Sequence, residues 1–348
     1  MARAEWPTAA RRAGIRQGAP GARAASGDRV ARRAIPAGGL RTVSDPRSQV
    51  ITLGGVSFHY LDWGNDGAPP VVLLHGFAGH ARQWRFAAEA LHPHFHVLAL
   101  DQRGHGDSDW TETYGSRVMV EDLARFVDAL DLHHVTIVGQ SMGGMNAMAY
   151  AAMHPERIDR VVLGDIGPET ASAGVQRIRE HVQQRDTFSS VDDAFEFERS
   201  QNPRAQDWML RERVEHNLRE LPDGSLTWKY DKALRENMGR QPEPSAREAG
   251  TPPSSEAGPK RPGAGGAESG RAEFNAEERW QMWRKIQAQV LVVRGEESDL
   301  LSPEIARRML DELPSAELVT LPGAGHTLMA DQPEAFVAAV RDWLLPRE

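Results

Sequence analysis

Short, mostly apolar runs alternate with segments of helical periodicity along most of this chain. The runs cover residues 70–74, 95–100, 135–138, 161–163, 290–293 and 317–321. Strands that are apolar on both faces and separated by helices are typical of a parallel sheet covered on both sides. Residues 50–63 add two short strands around the Gly54-Gly55 turn, which is a hairpin signal. The pattern therefore predicts an α/β core.

Helical periodicity fills the intervals between these runs. In residues 116–130, the apolar side chains Val120, Leu123, Phe126 and Val127 recur at the spacing of one helix face. Further helices are predicted at residues 82–91, 142–153, 303–313 and 333–344. Each predicted helix lies beside a predicted strand, as the layered α/β arrangement requires.

Residues 168–288 interrupt the alternation. They lack a strong strand run apart from residues 226–230, and they hold four of the nine tryptophans. We interpret this region as a mostly helical cap inserted into an α/β core of residues 49–167 and 289–348. Within the cap, residues 239–272 contain 13 glycines or prolines and no large apolar residue, which predicts a disordered, low-complexity insertion.

Residues 1–48 form a second compositional break. They hold ten arginines, no lysine and three acidic residues, so they carry +7. Because the whole chain carries −8, the remaining 300 residues carry −15. With few large apolar side chains to bury, this Arg-rich segment is predicted to be a disordered extension. Its composition resembles an organellar transit peptide, but composition alone supports targeting only weakly.

Composition excludes several classes of protein. The chain has no cysteine, which excludes disulfides, a thiol nucleophile and cysteine-ligated metals. No apolar run approaches the roughly 20 residues of a membrane span, and the extension lacks the apolar segment of a secretory signal. The net negative charge argues against a nucleic-acid partner. We therefore expect a cytoplasmic protein that acts on small molecules.

The sharpest motif is Gly139-Gln140-Ser141-Met142-Gly143, which fits the pattern G-x-S-x-G. It follows a predicted strand and opens a predicted helix, which is the context that a nucleophile elbow requires. Side chains at Gly139 and Gly143 would collide in so sharp a turn. The helix N-terminus also offers free N–H groups to a developing oxyanion. Ser141 is therefore the candidate nucleophile.

Four motifs together resemble the α/β-hydrolase fold family. They are the serine elbow, His75-Gly76-Phe77, the segment 101–106 (Asp-Gln-Arg-Gly-His-Gly) and Gly323-Ala324-Gly325-His326. The resemblance covers about residues 50–345 outside the cap. It implies the α/β-hydrolase fold, with an eight-stranded, mostly parallel sheet, helices on both faces and an inserted helical cap.

The resemblance also implies a catalytic set. His326 follows the last strand and matches the family's base, and Asp299 matches the usual position of the acid that orients it. Asp165 occupies the alternative acid position that some members use. The backbone N–H groups of Phe77 and Met142 match the oxyanion hole, while His75 and His105 match residues that brace the loops.

No cofactor or metal site is predicted. The chain has neither a phosphate-binding P-loop nor a dinucleotide fingerprint. His92, His94 and His96 alternate as they would along a strand, but no acidic partner clusters with them in the sequence. We interpret them as the solvated start of a strand rather than as zinc ligands.

The predicted function is a cofactor-independent serine hydrolase, carboxylesterase-like, that acts through an acyl-enzyme on a small to medium apolar ester. Indoles of the cap are candidates to line its pocket, and packing of the cap onto the core is the alternative for each; they are Trp208, Trp228, Trp280 and Trp283. The elbow also resembles those of carbon–carbon bond hydrolases that cleave vinylogous diketones and of cofactor-free haloperoxidases or perhydrolases. A non-catalytic ligand-binding protein of the same fold is a further alternative. The acyl group, the alcohol and the oligomeric state stay open.

Overall fold

A computed structural model describes residues 45–239 and 273–345 of the chain. Residues 1–44 of the disordered extension predicted over residues 1–48 lie outside the described residues, and so do residues 240–272 of the low-complexity insertion predicted over residues 239–272. Gly239, the first residue assigned to that insertion, is instead the last residue of a helix. In the part that is described, no helix is both long enough and apolar enough to cross a membrane.

Eleven strands and eleven α-helices make up the described part of the chain. The strands are β1 Arg47–Leu53, β2 Val56–Asp62, β3 Pro70–Leu74, β4 His96–Leu100, β5 Val135–Gln140, β6 Ile158–Gly164, β7 Thr187–Phe188, β8 Leu218–Glu220, β9 Leu226–Trp228, β10 Gln289–Gly295 and β11 Ala316–Leu321. The helices are α1 Arg85–Leu91, α2 Ser116–Ala129, α3 Met142–Met153, α4 Ser172–Gln183, α5 Val191–Gln201, α6 Asp207–His216, α7 Lys232–Gly239, α8 Ala276–Trp283, α9 Pro303–Glu312, α10 Leu328–Asp331 and α11 Pro333–Leu344. A 3₁₀ turn, Ala81–Trp84, precedes α1.

Eight strands form one sheet in the order β1-β2-β4-β3-β5-β6-β10-β11. The pairings β1–β2 and β2–β4 are antiparallel, and the others are parallel. The predicted eight-stranded, mostly parallel sheet is therefore confirmed. Its first strand begins at Arg47, so residues 47 and 48 pair with β2 and do not belong to the extension to which the sequence assigned them.

The sheet separates two apolar cores, as alternation along its strands dictates. On β3, Val71 and Leu73 face a cluster that includes Phe336 of α11, whereas Val72 faces a cluster that includes Tyr150 of α3. All of these side chains are almost completely buried. Helices on both faces thus cover a sheet whose carboxyl edge is left free for loops.

Residues between β6 and β10 supply the additional layer that the sequence predicted as a cap. Its described residues include helices α4 to α8. It also contains a three-stranded antiparallel sheet in the order β7-β9-β8, of which the sequence indicated only the segment around β9. The hairpin between β8 and β9 turns at Gly224, whose φ of +82° suits glycine.

Candidate active site

Ser141 lies in a sharp turn between β5 and α3. Its φ and ψ are +52° and −119°, a strained conformation for a residue with a side chain. A Cβ atom at Gly139 would lie 2.4 Å from the carbonyl oxygen of Gly143, and one at Gly143 would lie 2.3 Å from that of Leu74. Only glycine fits at either position, and the serine is held out at the carboxyl edge of the sheet.

His326 reaches this serine from the loop between β11 and α10. Its Nε2 lies 3.0 Å from the Ser141 Oγ, so the imidazole can accept the hydroxyl proton. The loop is held against the sheet because Gly295, the last residue of β10, leaves room for the carbonyl oxygen of Gly325. The Gln140 side-chain amide donates to the His326 carbonyl oxygen at 3.0 Å. These contacts fix the imidazole beside the serine.

Asp165 is the carboxylate that faces the other imidazole nitrogen. Its Oδ2 lies 2.9 Å from the His326 Nδ1, and its side chain is fully buried. The Ser298 hydroxyl donates to Oδ2, and the Gly295 N–H donates to Oδ1 at 3.0 Å. The backbone N–H of Asp165 donates to the Val293 carbonyl oxygen. These hydrogen bonds fix the orientation of the carboxylate in its buried position.

Asp299 does not occupy the position against His326 that the family resemblance implied. Its carboxylate accepts two hydrogen bonds from the Arg177 guanidinium, at 2.6 and 2.9 Å. Those hydrogen bonds hold the pKa of Asp299 below its usual value. The loop after β10 turns at Ser298, whose hydroxyl accepts hydrogen bonds from the Leu300 and Leu301 N–H groups. The chain therefore presents Ser298, not Asp299, to the buried carboxylate beside the histidine.

Two backbone N–H groups flank the serine where an oxyanion would form. That of Met142 belongs to the first residue of α3, and that of Phe77 follows Gly76 in the loop after β3. A Cβ at Gly76 would stand 3.3 Å from the Ser141 Cβ, which shows how closely this loop approaches. Within residues 45–239 and 273–345, neither N–H has a hydrogen-bond acceptor. Both are available to a ligand.

Buried histidines brace the loops around these groups. The His75 Nε2 accepts a hydrogen bond from the Gln102 N–H at 3.0 Å, which ties the loop after β3 to the loop after β4. The His105 ring packs 5.0 Å from the His75 ring and 5.8 Å from that of Phe77. Burial lowers the pKa of His75 to about 3 and that of His105 to about 4. Both rings are therefore neutral at physiological pH.

The pocket beside Ser141 has a cavity volume of about 120 Å³. Part of its lining is apolar, with side chains from the cap and from the loop after β3, among them Phe77, Ile178 and Met209. Two arginines, Arg177 of α4 and Arg213 of α6, also line it. The pocket is thus amphipathic, with a cationic side supplied by the cap.

The four cap tryptophans do not line this pocket, which leaves packing as the alternative that the sequence had offered for them. Trp280 and Trp283 are buried against the core beside α3 and α9, and the Trp283 indole N–H donates to the Met309 carbonyl oxygen. Trp228 packs inside the cap, and Trp208 is half exposed. The bulk of Trp280 and Trp283 attaches this region to the core.

The histidines considered as a metal set do not share a strand. β4 begins at His96, whereas His92 and His94 precede it in the turn after α1. The His96 Nε2 does have an acidic neighbour, because it lies 3.1 Å from the Asp62 carboxylate, contrary to the expectation from sequence. The Arg47 guanidinium already bridges that carboxylate and its neighbour Asp66, so a cation of the chain compensates their charge.

Sequence reasoning missed three residues that support the site. They are Ser298 on the buried carboxylate, Gln140 on the histidine loop, and Asp331, which accepts from the Gly325 N–H at 2.8 Å. Gln140 lies inside the elbow motif and could have been noted there. No sequence motif marks the other two. Ser298 binds a carboxylate that is distant in the chain, and Asp331 binds the backbone of a loop.

Comparison with known proteins identifies the fold family. Residues 69–333 match a family model described as the alpha/beta hydrolase fold. A Bacillus subtilis protein provisionally named 2-succinyl-6-hydroxy-2,4-cyclohexadiene-1-carboxylate synthase is 27% identical over 83% of this chain and 95% of its own length. An esterase of Mycobacterium tuberculosis is 32% identical over 54% of this chain and 65% of its own. The solved structure of E-2-(acetamidomethylene)succinate hydrolase superposes with a TM-score of 0.71 at 22% identity, over 86% of this chain and 99% of that one.

Proposed function

This chain belongs to the alpha/beta hydrolase fold family, and from that premise we propose that it is a cofactor-independent serine hydrolase that cleaves carboxylic esters. One observation carries the proposal. A continuous hydrogen-bond chain runs from the Ser141 hydroxyl through the His326 imidazole to the Asp165 carboxylate, with heavy-atom distances of 3.0 and 2.9 Å. This is the arrangement that activates a weak hydroxyl nucleophile.

In the proposed reaction, the Ser141 Oγ attacks the ester carbonyl carbon while the His326 Nε2 takes the hydroxyl proton. Asp165 accepts the Nδ1–H hydrogen bond, which holds the productive tautomer and stabilises the imidazolium. The Phe77 and Met142 N–H groups donate to the oxyanion of the tetrahedral intermediate. The imidazolium then protonates the departing alcohol, and an acyl-enzyme remains on Ser141.

The second half of the reaction repeats these roles with water. His326 takes a proton from the water as it attacks the acyl carbon, and the oxyanion again binds in the hole. Collapse of the intermediate returns the proton to the Ser141 Oγ and releases the acid. Esterases among the relatives, in Mycobacterium tuberculosis and Escherichia coli, support an ester as the substrate.

The test is a Ser141→Ala variant assayed with short-chain 4-nitrophenyl esters and labelled with a fluorophosphonate. We expect the parent protein to be labelled, and the variant to lose the label and at least about 10⁴-fold in kcat. A Ser172→Ala variant is the matched control, because Ser172 is exposed at the start of α4. Activity of Ser141→Ala within tenfold of the parent would contradict the assignment.

A vinylogous diketone and a peroxide assay extend the same experiment. The elbow is shared with carbon–carbon bond hydrolases and perhydrolases, and the triad would serve either reaction. Faster turnover of the diketone than of any ester would replace the ester assignment while leaving Ser141 as nucleophile. Binding without turnover of any substrate, and without labelling, would indicate a ligand-binding protein.

A further inference from the structure

We infer that Arg213 is a carboxylate-binding residue of the pocket, so that the preferred ester carries a second, ionised carboxyl group. The inference rests on the proposed function, since it names the class of ester that the same pocket takes. It departs from the uniformly apolar substrate that the tryptophan-rich cap suggested.

The charge of the pocket lining is the first observation. Arg177 and Arg213 line the pocket, and among the described residues no aspartate or glutamate does. The whole chain is acidic, with a net charge of −8. A cationic pocket in an acidic protein favours an anionic ligand over its neutral analogue.

Arg213 is the arginine with free donors. Its side chain is 20% exposed, and its nearest carboxylate, that of Glu198, lies 3.6 Å away, beyond hydrogen-bond distance. Within the described residues, its guanidinium donates no hydrogen bond. A guanidinium has five N–H donors in a planar fork that matches a carboxylate. A substrate carboxylate would satisfy donors that the protein leaves unpaired.

Glu198 lies behind Arg213 and acts as its positioning residue. It is 3% exposed, and it lies 3.1 Å from the His181 Nε2. The Asn202 side-chain amide also donates to it. Burial would raise the pKa of Glu198, but the charge of Arg213 and the His181 contact lower it below its usual value. The ionised carboxylate thus fixes Arg213 without using its donors.

Arg177 is less suited to this task. Two of its N–H groups already donate to Asp299, and that ion pair compensates its charge. Arg177 also lines the pocket, but the free donors are those of Arg213.

The experiment compares two pairs of esters that differ only in carboxylate against carboxamide. Monobenzyl glutarate and its carboxamide analogue place the group on the acyl side. 4-Acetoxybenzoate and 4-acetoxybenzamide place it on the alcohol side. Arg213 can reach the carboxylate in only one of the two arrangements. For that pair, we expect the parent enzyme to hydrolyse the carboxylate ester with a kcat/KM at least about tenfold above that of the carboxamide ester, as expected for a charged hydrogen bond. The preference should shrink as salt is added, because the pocket is open to solvent.

Arg213→Gln should remove this preference, lowering kcat/KM for the carboxylate ester about tenfold and that for the carboxamide less than twofold. Arg213→Lys, which retains a point charge, should restore part of it. Arg211→Gln is the matched control, because Arg211 lies on the same helix, pairs with Asp192 and does not line the pocket. The preference should persist in that variant.

A purely structural Arg213 gives a different result. Its removal would then lower the stability of the protein, or would slow the hydrolysis of the carboxylate and the carboxamide ester equally. Either result overturns the inference if the variant still prefers the carboxylate ester as the parent does. Absence of any carboxylate preference in the parent overturns it too. If Arg213→Gln does not fold, Glu198→Gln/Arg213→Gln removes both charges together. Inhibition of neutral-ester hydrolysis by glutarate in the parent gives a readout independent of variants.

The two proposals can fail separately. Loss of all ester turnover in Ser141→Ala, together with an Arg213→Gln variant that keeps the parent's carboxylate preference, contradicts the carboxylate site alone. Turnover that survives in Ser141→Ala contradicts the proposed function, whatever Arg213 does.

Discussion

The choice between Asp165 and Asp299 depends on a few hydrogen bonds at the end of two neighbouring strands. Asp165 directly follows β6, with φ of +51°, and its buried carboxylate faces His326. Asp299 lies four residues beyond the end of β10 and binds Arg177. Position in the chain favoured Asp299 as the acid that orients His326. The path of the loop after β10 favours Asp165 instead.

Replacing each aspartate by asparagine separates their roles. Asp165→Asn should lower kcat about 10⁴-fold, because a neutral amide no longer stabilises the imidazolium or selects its tautomer. Asp299→Asn should cost less than about tenfold, since it weakens only a part-exposed ion pair with Arg177. Steady-state kinetics on one neutral ester, with circular dichroism to verify folding, measures both. The opposite ranking would return the orienting role to Asp299.

At the scale of secondary-structure elements, the β5–α3 turn is packed directly against the backbone of β3. A Cβ at Gly143 would lie 2.3 Å from the Leu74 carbonyl oxygen and 2.6 Å from that of His75. These atoms belong to the strand and loop that carry the Phe77 N–H. The elbow and the candidate oxyanion hole are therefore one packed unit.

Gly143→Ala should destabilise the protein by about 2 kcal/mol or more, because overpacking forces backbone atoms apart. It should also reduce kcat by displacing the loop that carries Phe77. Gly67→Ala is the control, since a Cβ there meets no atom within 4 Å. Urea unfolding and ester kinetics on both variants test this. Parent-like stability in Gly143→Ala would mean that the turn relaxes without cost.

The cap helices place charge at the pocket and apolar bulk elsewhere. Trp280 and Trp283 of α8 fill the interface with the core, whereas Arg177 and Arg213 project from α4 and α6 to the cavity. The tryptophan content of the region suggested an apolar lining. Composition gives the number of each residue type, but it does not show which face of a helix lines the cavity.

On the scale of the whole molecule, buried neutral histidines make folding stability depend on pH. Burial lowers the pKa of His75 to about 3, and those of His80 and His105 to about 4, from an ordinary value of 6.5. Between pH 6.5 and about 4, the unfolded chain binds protons at these positions and the folded chain does not. Acid in this window therefore favours unfolding.

We expect the free energy of unfolding to be independent of these groups above pH 6.5. Below it, stability should fall by about 1.4 kcal/mol per pH unit for each histidine. Urea unfolding at pH 7.5, 6.5, 5.5 and 4.5 measures the slope. His105→Asn should make it shallower, whereas His134→Asn, which changes an exposed ring, should leave it unaltered. Stability that stays level down to pH 4.5 contradicts the neutral, buried state of these rings.

The sequence by itself determined the features that arise from neighbouring residues. Alternating apolar runs and helical periods define the sheet and its covering helices, because burial follows the period of each element. The G-x-S-x-G turn places Ser141 because its geometry is set by five consecutive residues. His326 is likewise fixed by its position after the last strand, and the structure brings it within 3.0 Å of the serine.

Tertiary structure alone decided the features that depend on residues far apart in the chain. Asp165 forms hydrogen bonds with Ser298 and His326, which lie 133 and 161 residues further along the chain. The loops that carry Ser298 and His326 are placed by such long-range hydrogen bonds. The cationic side of the pocket combines α4 and α6, which are separated in the chain by β7 and α5. Side-chain partners of this kind have no sequence period, because they are selected by three-dimensional packing and by the need to satisfy every buried charge.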